Sequence, residues 1–94
     1  MVEDYLEINW TDWSIDHIAR HNVEPNEIEQ GLFDDDPIIL EQRKDRRMVL
    51  CSTWSNRLLF VVISFPPDGN QIKIITARDV NHWEKKILKK RRKG

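Results

Sequence analysis

The chain lacks several features that mark whole classes of protein. Its 94 residues include one cysteine, Cys51, so no disulfide can form within the chain, which fits a reducing compartment. No apolar run approaches the roughly 20 residues of a membrane span. His17 and His21 lie four residues apart, but no third metal-ligating residue accompanies them. We therefore expect a small cytoplasmic protein with no membrane contact, no metal site and no cofactor.

Positive charge is almost missing from the first third of the chain, and negative charge is in the minority in the rest. Residues 1–36 carry eleven carboxylates and one base, Arg20, whereas residues 37–94 carry fourteen bases and five carboxylates. The formal net charge of −1 hides this separation. The basic part is expected to attract a polyanion or an acidic partner, because the summed field concentrates opposite charge. The alternative is a salt-laced surface that only keeps the protein soluble.

The first third of the sequence predicts one strand and two short helices. Residues Tyr5–Trp10 alternate in polarity as a short strand does. A helix is predicted over Trp13–His21, and Asn22 follows it as a residue that tolerates the left-handed conformation. Pro25 suits the first turn of a second helix. Both helices are expected to pack on a sheet.

The remaining sequence predicts a meander and a last helix. Four strands are predicted, separated by turns at Asp45, Ser55-Asn56 and Pro66-Pro67-Asp68-Gly69: Pro37–Gln42, Arg46–Trp54, Arg57–Phe65 and Asn70–Ala77. The third is apolar on both faces and should be central. The last helix runs from Val80 to about Arg92, with Trp83, Ile87 and Leu88 on its inner face. Asp79 or Asn81 is expected to cap it, and Asn81 with Glu84 resembles a capping box.

These elements predict one α+β domain over residues 1–94. It contains a four- to five-stranded, mainly antiparallel sheet, packed by the two N-terminal helices and a basic C-terminal helix. Residues 89–94, all basic except Gly94, are expected to fray.

Several segments occur in an order that is typical of one family. They are Ile8-Asn9-Trp10, Arg20-His21-Asn22-Val23, Leu32-Phe33-Asp34-Asp35, Asn56-Arg57-Leu58-Leu59-Phe60-Val61-Val62 and Ile72-Lys73-Ile74-Ile75-Thr76-Ala77-Arg78. From residue 8 to about residue 92 the chain resembles the BrnT family of bacterial toxins. The resemblance implies a RelE-like endoribonuclease from a type II toxin–antitoxin pair, which cleaves RNA without metal and arrests translation. It also implies a ribbon-helix-helix, BrnA-like antitoxin, through which the toxin forms a dimer.

RNA cleavage without metal needs a base, an acid and cations for the charge that develops on phosphorus. Arg78 is the first candidate for the phosphate, with Arg57 as a second cation. His82 is a candidate for proton transfer near neutral pH. Glu84 is a candidate general base, or only the acid of the capping box. Arg78 has the alternative of a structural ion pair with Glu84 or with Asp34–Asp36.

Further basic and aromatic residues are candidates for RNA binding. The cations are Arg46, Arg47, Lys73, Lys85 and Lys89. Trp54, at a strand end beside Arg57, is the candidate for base stacking, whereas most of the four tryptophans are expected in the core.

Two other functions stay open. Many BrnT sequences carry a lysine early in the first helix, where this chain has Trp13-Ser14. Many also carry a tyrosine late in the last helix, and the corresponding position here is near Leu88. These differences allow a non-catalytic module that binds RNA or an antitoxin. A third hypothesis is a regulator whose acidic part binds a basic protein.

Overall fold

A central antiparallel meander organises the structure, a computed structural model that describes residues 7–65 and 71–93. In chain order the elements are β1 (Glu7–Ile8), α1 (Asp12–Ala19), α2 (Pro25–Glu29), a π-helical turn (Gln30–Asp34), β2 (Ile38–Gln42), β3 (Arg46–Ser52), β4 (Leu58–Ser64), β5 (Gln71–Asp79) and α3 (His82–Lys93). The sheet order is β1-β5-β4-β3-β2. Strand β1 pairs with β5 in parallel, so the sheet is mixed. The predicted α+β class is confirmed.

Parts of two sequence predictions lie outside the described residues. They are the beginning of the Tyr5–Trp10 strand and the turn over Pro66–Gly69, with Asn70 after it. Strand β5 continues two residues beyond the predicted end, to Asp79.

Local capping explains where the N-terminal helices begin and end. The backbone N–H of Ser14 donates to Oγ1 of Thr11 at 3.1 Å, which caps α1. Asn22 has φ 59°, as predicted for a residue that ends a helix in the left-handed conformation. Pro25 opens α2, and the backbone N–H of Glu24 donates to the Glu27 carboxylate at 3.0 Å.

Each face of the sheet is covered by helix. On the α1–α2 face, Ile18, Ile28 and Leu32 pack against Val61 and Ile74 of the strands. On the opposite face, which we call the α3 face, Leu88 packs with three strand residues: Leu50, Phe60 and Val62. Residues 59–63 of β4 are buried throughout, as predicted for the central strand. Among the described residues, no helix is both long and apolar enough to cross a membrane.

The π-helical turn lies very close to β3. A Cβ atom added at Gly31 would lie 2.5 Å from Sγ of the buried Cys51. Only glycine therefore fits this approach without a shift of the neighbouring atoms. Cys51 is a core residue of the α1–α2 face.

The prediction that most tryptophans are core residues is wrong. Trp13, Trp54 and Trp83 are 59%, 74% and 69% exposed, and Trp10 is partly buried. Trp83 was expected on the inner face of α3, but Glu84 is buried there instead. Leu88 is buried and Ile87 half-buried on that face, as predicted. Because residues one position apart on a helix are about 100° apart in direction, burying Glu84 turns Trp83 outward.

Candidate functional site

Three cations lie on the α3 face of the sheet: Arg46, Lys73 and Arg78. Arg46 and Lys73 flank Ser64 in one row across β3, β4 and β5, and directly opposed residues share a face. Phe60, on the same strand as Ser64, pairs with Arg78 and forms a second row. Ser64 and Phe60 are four residues apart and share a face, so both rows lie on the α3 face. At about 3.3 Å per residue, the two rows are roughly 13 Å apart.

Arg78 and Glu84 form a bidentate ion pair where β5 leads into α3. Nη1 of Arg78 lies 2.9 Å from Oε1 of Glu84, and Nη2 lies 3.0 Å from Oε2. The guanidinium also lies over the Phe60 ring, 4.2 Å from its centroid. The Arg78 side chain is 35% exposed and that of Glu84 is 8% exposed. The carboxylate is therefore buried beneath the arginine.

The Glu84 carboxylate also caps α3. It accepts the backbone N–H of Asn81 at 2.9 Å, and the backbone N–H of Glu84 donates to Oδ1 of Asn81 at 2.8 Å. Burial by itself would raise the pKa of Glu84, but hydrogen bonds from Arg78 and the Asn81 backbone outweigh it and hold the pKa below its ordinary value. Glu84 is thus ionised at neutral pH and is a weak proton acceptor. The predicted capping box is confirmed.

Arg78 keeps one edge of its guanidinium for a further ligand. Arginine has five N–H donors, and here Nη1 uses two, one for Glu84 and one for the Asp79 carbonyl. Nη2 uses one of its two for Glu84. Within residues 7–65 and 71–93, no acceptor is found for Nε–H or for the second hydrogen of Nη2. These two donors share the edge that can bind a phosphate with two parallel hydrogen bonds.

Arg57, in contrast, is saturated. Its Nε donates to Asp79 at 2.7 Å, and Nη2 donates to Asp79 and to the His21 carbonyl. Its Nη1 donates to Glu27 and to the Asn22 carbonyl. We call this set of contacts the Arg57 clasp. All five donors are used, so the predicted catalytic role of Arg57 gains no support from this geometry.

The Arg57 clasp is also electrostatically favourable. The hydrogen bond to Asp79 raises the pKa of Arg57 against the effect of burial, and Glu27 raises it further. The same hydrogen bond lowers the pKa of Asp79. Since Glu27 belongs to α2 on the other side of the sheet, Arg57 and Arg78 do not meet at one phosphate.

The other residues predicted to bind RNA lie on opposite faces of the sheet. Lys85 and Lys89 are exposed on α3, as is His82 in its first turn. Arg47 lies on the α1–α2 face, 4.5 Å from the centroid of the Phe65 ring. This separates it from Arg46, its neighbour in sequence.

Trp54 lies in an acidic groove rather than beside a free cation. Its indole Nε1 donates to Oδ2 of Asp34 at 3.1 Å, and its backbone N–H donates to Gln30. Glu29 and Phe33 line the same groove. The negative charge there opposes a phosphate backbone.

Comparison with known proteins assigns the chain to a family. The model of the family described as "Ribonuclease toxin, BrnT, of type II toxin-antitoxin system" matches residues 10–84 of the 94. The chain belongs to the BrnT toxin family. Membership implies a toxin with an RNA target and an antitoxin partner. No curated protein and no solved structure matches the chain, so the likeness to RelE stays a prediction.

Sequence reasoning missed two features of this BrnT toxin. The partners of Arg57, Glu27 and Asp79, are 30 and 22 residues away, and no local pattern links them. The exposure of Trp83 was missed too. It follows from the burial of Glu84 and Leu88, which sets the rotation of α3, and the sequence pattern did not show that Glu84 is buried.

A metal centre is not formed by the described part of this BrnT toxin. In residues 7–65 and 71–93, no three His, Cys, Asp or Glu side chains are grouped as metal ligands. His17 and His21 instead continue an aromatic row from Trp13, with centroid distances of 4.9 Å for Trp13–His17 and 6.2 Å for His17–His21.

Replacing Glu84 by glutamine should lower the stability of this BrnT toxin at neutral pH but not in acid. The variant loses a charge-assisted pair, which we expect to cost about 1–2 kcal/mol at pH 7. The folded-state pKa of Glu84 lies below the ordinary 4.5, so the stabilisation is present above 4.5 and is lost as pH falls through the folded value. Urea unfolding from neutral to acidic pH measures this.

Glu41 offers a matched control for this experiment. It pairs with Arg43 at 3.0 Å, but both side chains are exposed, so Glu41→Gln should change little at any pH. A stability difference between wild type and Glu84→Gln that stays constant down to strong acid would contradict the assignment.

Proposed function

We propose that this BrnT toxin is a metal-independent endoribonuclease that cleaves RNA and thereby arrests translation. The observation that carries the proposal is the Nε–Nη2 edge of Arg78, for which the described residues offer no acceptor and which a buried carboxylate holds on the α3 face. Family membership supports the RNA target. The edge supplies the donor pair that a phosphate accepts.

The proposed reaction uses the RNA's own 2′-hydroxyl as nucleophile. The 2′-oxygen attacks the adjacent phosphorus as its proton passes to a base, and the bond from phosphorus to the 5′-oxygen breaks as that oxygen is protonated. The products are a 2′,3′-cyclic phosphate and a 5′-hydroxyl. Arg78 donates to the non-bridging oxygens, whose charge rises in the transition state. Glu84 fixes the direction of the guanidinium through the bidentate ion pair. We do not assign it as the base, because its lowered pKa makes it a poor proton acceptor.

His82 is the proposed proton-transfer residue. It is exposed at the start of α3, two positions before Glu84, and imidazole accepts and donates protons near neutral pH. The cations proposed to hold the RNA backbone are Arg46, Lys73, Lys85 and Lys89. Arg47 and Trp54 are left out of this surface because of their surroundings on the other face.

Inducing the toxin in a bacterium is expected to stop growth and protein synthesis and to leave cleaved mRNA. Purified toxin should cleave RNA equally well in EDTA and in Mg²⁺, because Arg78 supplies the charge that a metal would supply. Primer extension locates the cuts, and the chemistry of the new 3′-ends identifies the cyclic phosphate. Intact mRNA in arrested cells, or cleavage abolished by EDTA, would refute the corresponding part of the proposal.

The antitoxin partner is proposed to be a ribbon-helix-helix protein of the BrnA type. Such a partner is dimeric and would join two toxin molecules in the cytoplasm. Co-purification followed by mass measurement tests the composition. A complex with one toxin molecule would contradict the dimer.

A non-catalytic module is the second candidate. Its supporting observation is that the donors of Arg57 are all used within the protein. Of the two arginines that the sequence suggested for the reacting phosphate, Arg78 is then the one left to bind it. This alternative predicts RNA binding that weakens with salt and no cleavage products. Whether the purified toxin yields cleavage products therefore decides between the two functions.

A further inference from the structure

Trp83 occupies an unusual place for a large aromatic side chain. It is 69% exposed on α3, where it lines a shallow groove with Lys86, Ile87 and Lys90. The inward positions of Glu84 and Leu88 fix the rotation of the helix, so Trp83 is held outward by the packing of its neighbours. Its exposure is a property of the fold.

The indole ring of Trp83 has no partner in the part of the chain that the structure describes. The other three tryptophans do: Nε1 of Trp10 donates to Glu29, Nε1 of Trp54 donates to Asp34, and Trp13 stacks on His17. The exposed surface of the Trp83 ring and its N–H therefore have no partner among the described residues and are accessible to a ligand.

The charge around Trp83 is positive. Lys86 and Lys90 follow it by three and seven positions, roughly 4.5 Å and 10.5 Å further along the helix axis. The one carboxylate of α3, Glu84, is buried and paired with Arg78. An anion that reaches the groove meets exposed lysines and no exposed acid on the helix.

The groove suits a nucleotide better than a protein helix. A docking helix needs a row of apolar anchors, and among the described residues that line the groove Trp83 is accompanied by one apolar side chain, the half-buried Ile87. An unpaired base needs one aromatic surface with cations beside it for the flanking phosphates.

We infer that Trp83 stacks on an unpaired base of the bound RNA, with Lys86 and Lys90 holding the neighbouring phosphates. The inference rests on the proposed function, since it places the same RNA on α3. It adds a preference for single-stranded RNA, because a paired base is not available for stacking on a side chain.

Binding of a short, unstructured oligouridylate with 2′-O-methyl groups tests this inference. The methyl groups remove the attacking hydroxyl, so the ligand is not cleaved. Trp83→Ala is expected to weaken binding about tenfold or more, and Trp83→Phe much less, because phenylalanine keeps an aromatic ring on which the base can stack. The salt dependence should stay unchanged in Trp83→Ala and fall in a Lys86→Gln/Lys90→Gln variant.

Trp54→Ala is the matched control. It removes an equally exposed tryptophan from acidic surroundings and should leave binding unchanged. If Trp83→Ala binds as wild type does, the stacking role is wrong while the ribonuclease proposal stands. If wild type neither binds nor cleaves RNA, both are wrong. If Trp83→Ala loses binding to an acidic peptide and keeps binding to RNA, the groove serves a protein and the inference is overturned.

Discussion

Replacing Arg57 by alanine is expected to destabilise the protein by about 3 kcal/mol or more. The substitution removes five hydrogen-bond donors and leaves Glu27, which is 18% exposed, without its cation. The carbonyls of His21 and Asn22 lose their donor as well. For a domain of this size the midpoint of thermal unfolding should fall by roughly 10–20 °C. Urea and thermal unfolding measure the two quantities.

Two further variants separate the clasp from a general effect of charge. Arg43→Ala removes an arginine from an exposed pair with Glu41 and should change stability by less than about 0.5 kcal/mol. Arg57→Lys keeps the charge but cannot donate to two carboxylates and two carbonyls at once, so it should recover only part of the loss. An Arg57→Ala protein as stable as wild type would show that the clasp does not hold the helices to the sheet.

Replacing Arg78 is expected to have the largest effect on activity. Removing a donor that acts on developing charge typically costs about 10²–10³-fold in rate. Arg78→Lys keeps a positive charge near Glu84 but lacks the two-donor edge, so cleavage should fall about 100-fold or more while the fold persists. RNA cleavage rates, together with unfolding curves of the same preparations, measure this.

Arg46→Gln is the matched control for Arg78. It removes a cation from the same face, roughly 13 Å from the Arg78 row, and should weaken RNA binding and its salt dependence without a comparable loss of maximal rate. Wild-type cleavage by Arg78→Lys would remove Arg78 from the reaction. An equal loss of maximal rate in both variants would show that the effect is not specific to Arg78.

Contacts between residues close in sequence were largely predictable. The capping box of Asn81 and Glu84 and the left-handed Asn22 depend on a few neighbouring residues, and both were predicted. Glu84 was also one of the two partners considered for Arg78, because they lie six residues apart across a single turn. The alternation of β3 already implied that Arg46 and Arg47 lie on opposite faces.

Contacts across the sheet were not predictable in the same way. Arg57 reaches Glu27 in α2 and Asp79 in β5, which no sequence pattern connects. Trp54 was placed beside Arg57 because they are near in sequence, but Trp54 bonds to Asp34 and Gln30 while Arg57 points to other partners. Each outcome depends on which elements pack together.

The sequence by itself determined the order of the elements, the central position of β4 and the capping box of α3, since these follow from periodicity and local hydrogen bonding. It also determined the family, through the likeness of whole segments to other members. Only the tertiary structure decided which arginine is saturated and which keeps a free edge, and which tryptophan lies among cations. A guanidinium and an indole take the partners that packing brings within hydrogen-bonding distance, and those partners come from distant parts of the chain.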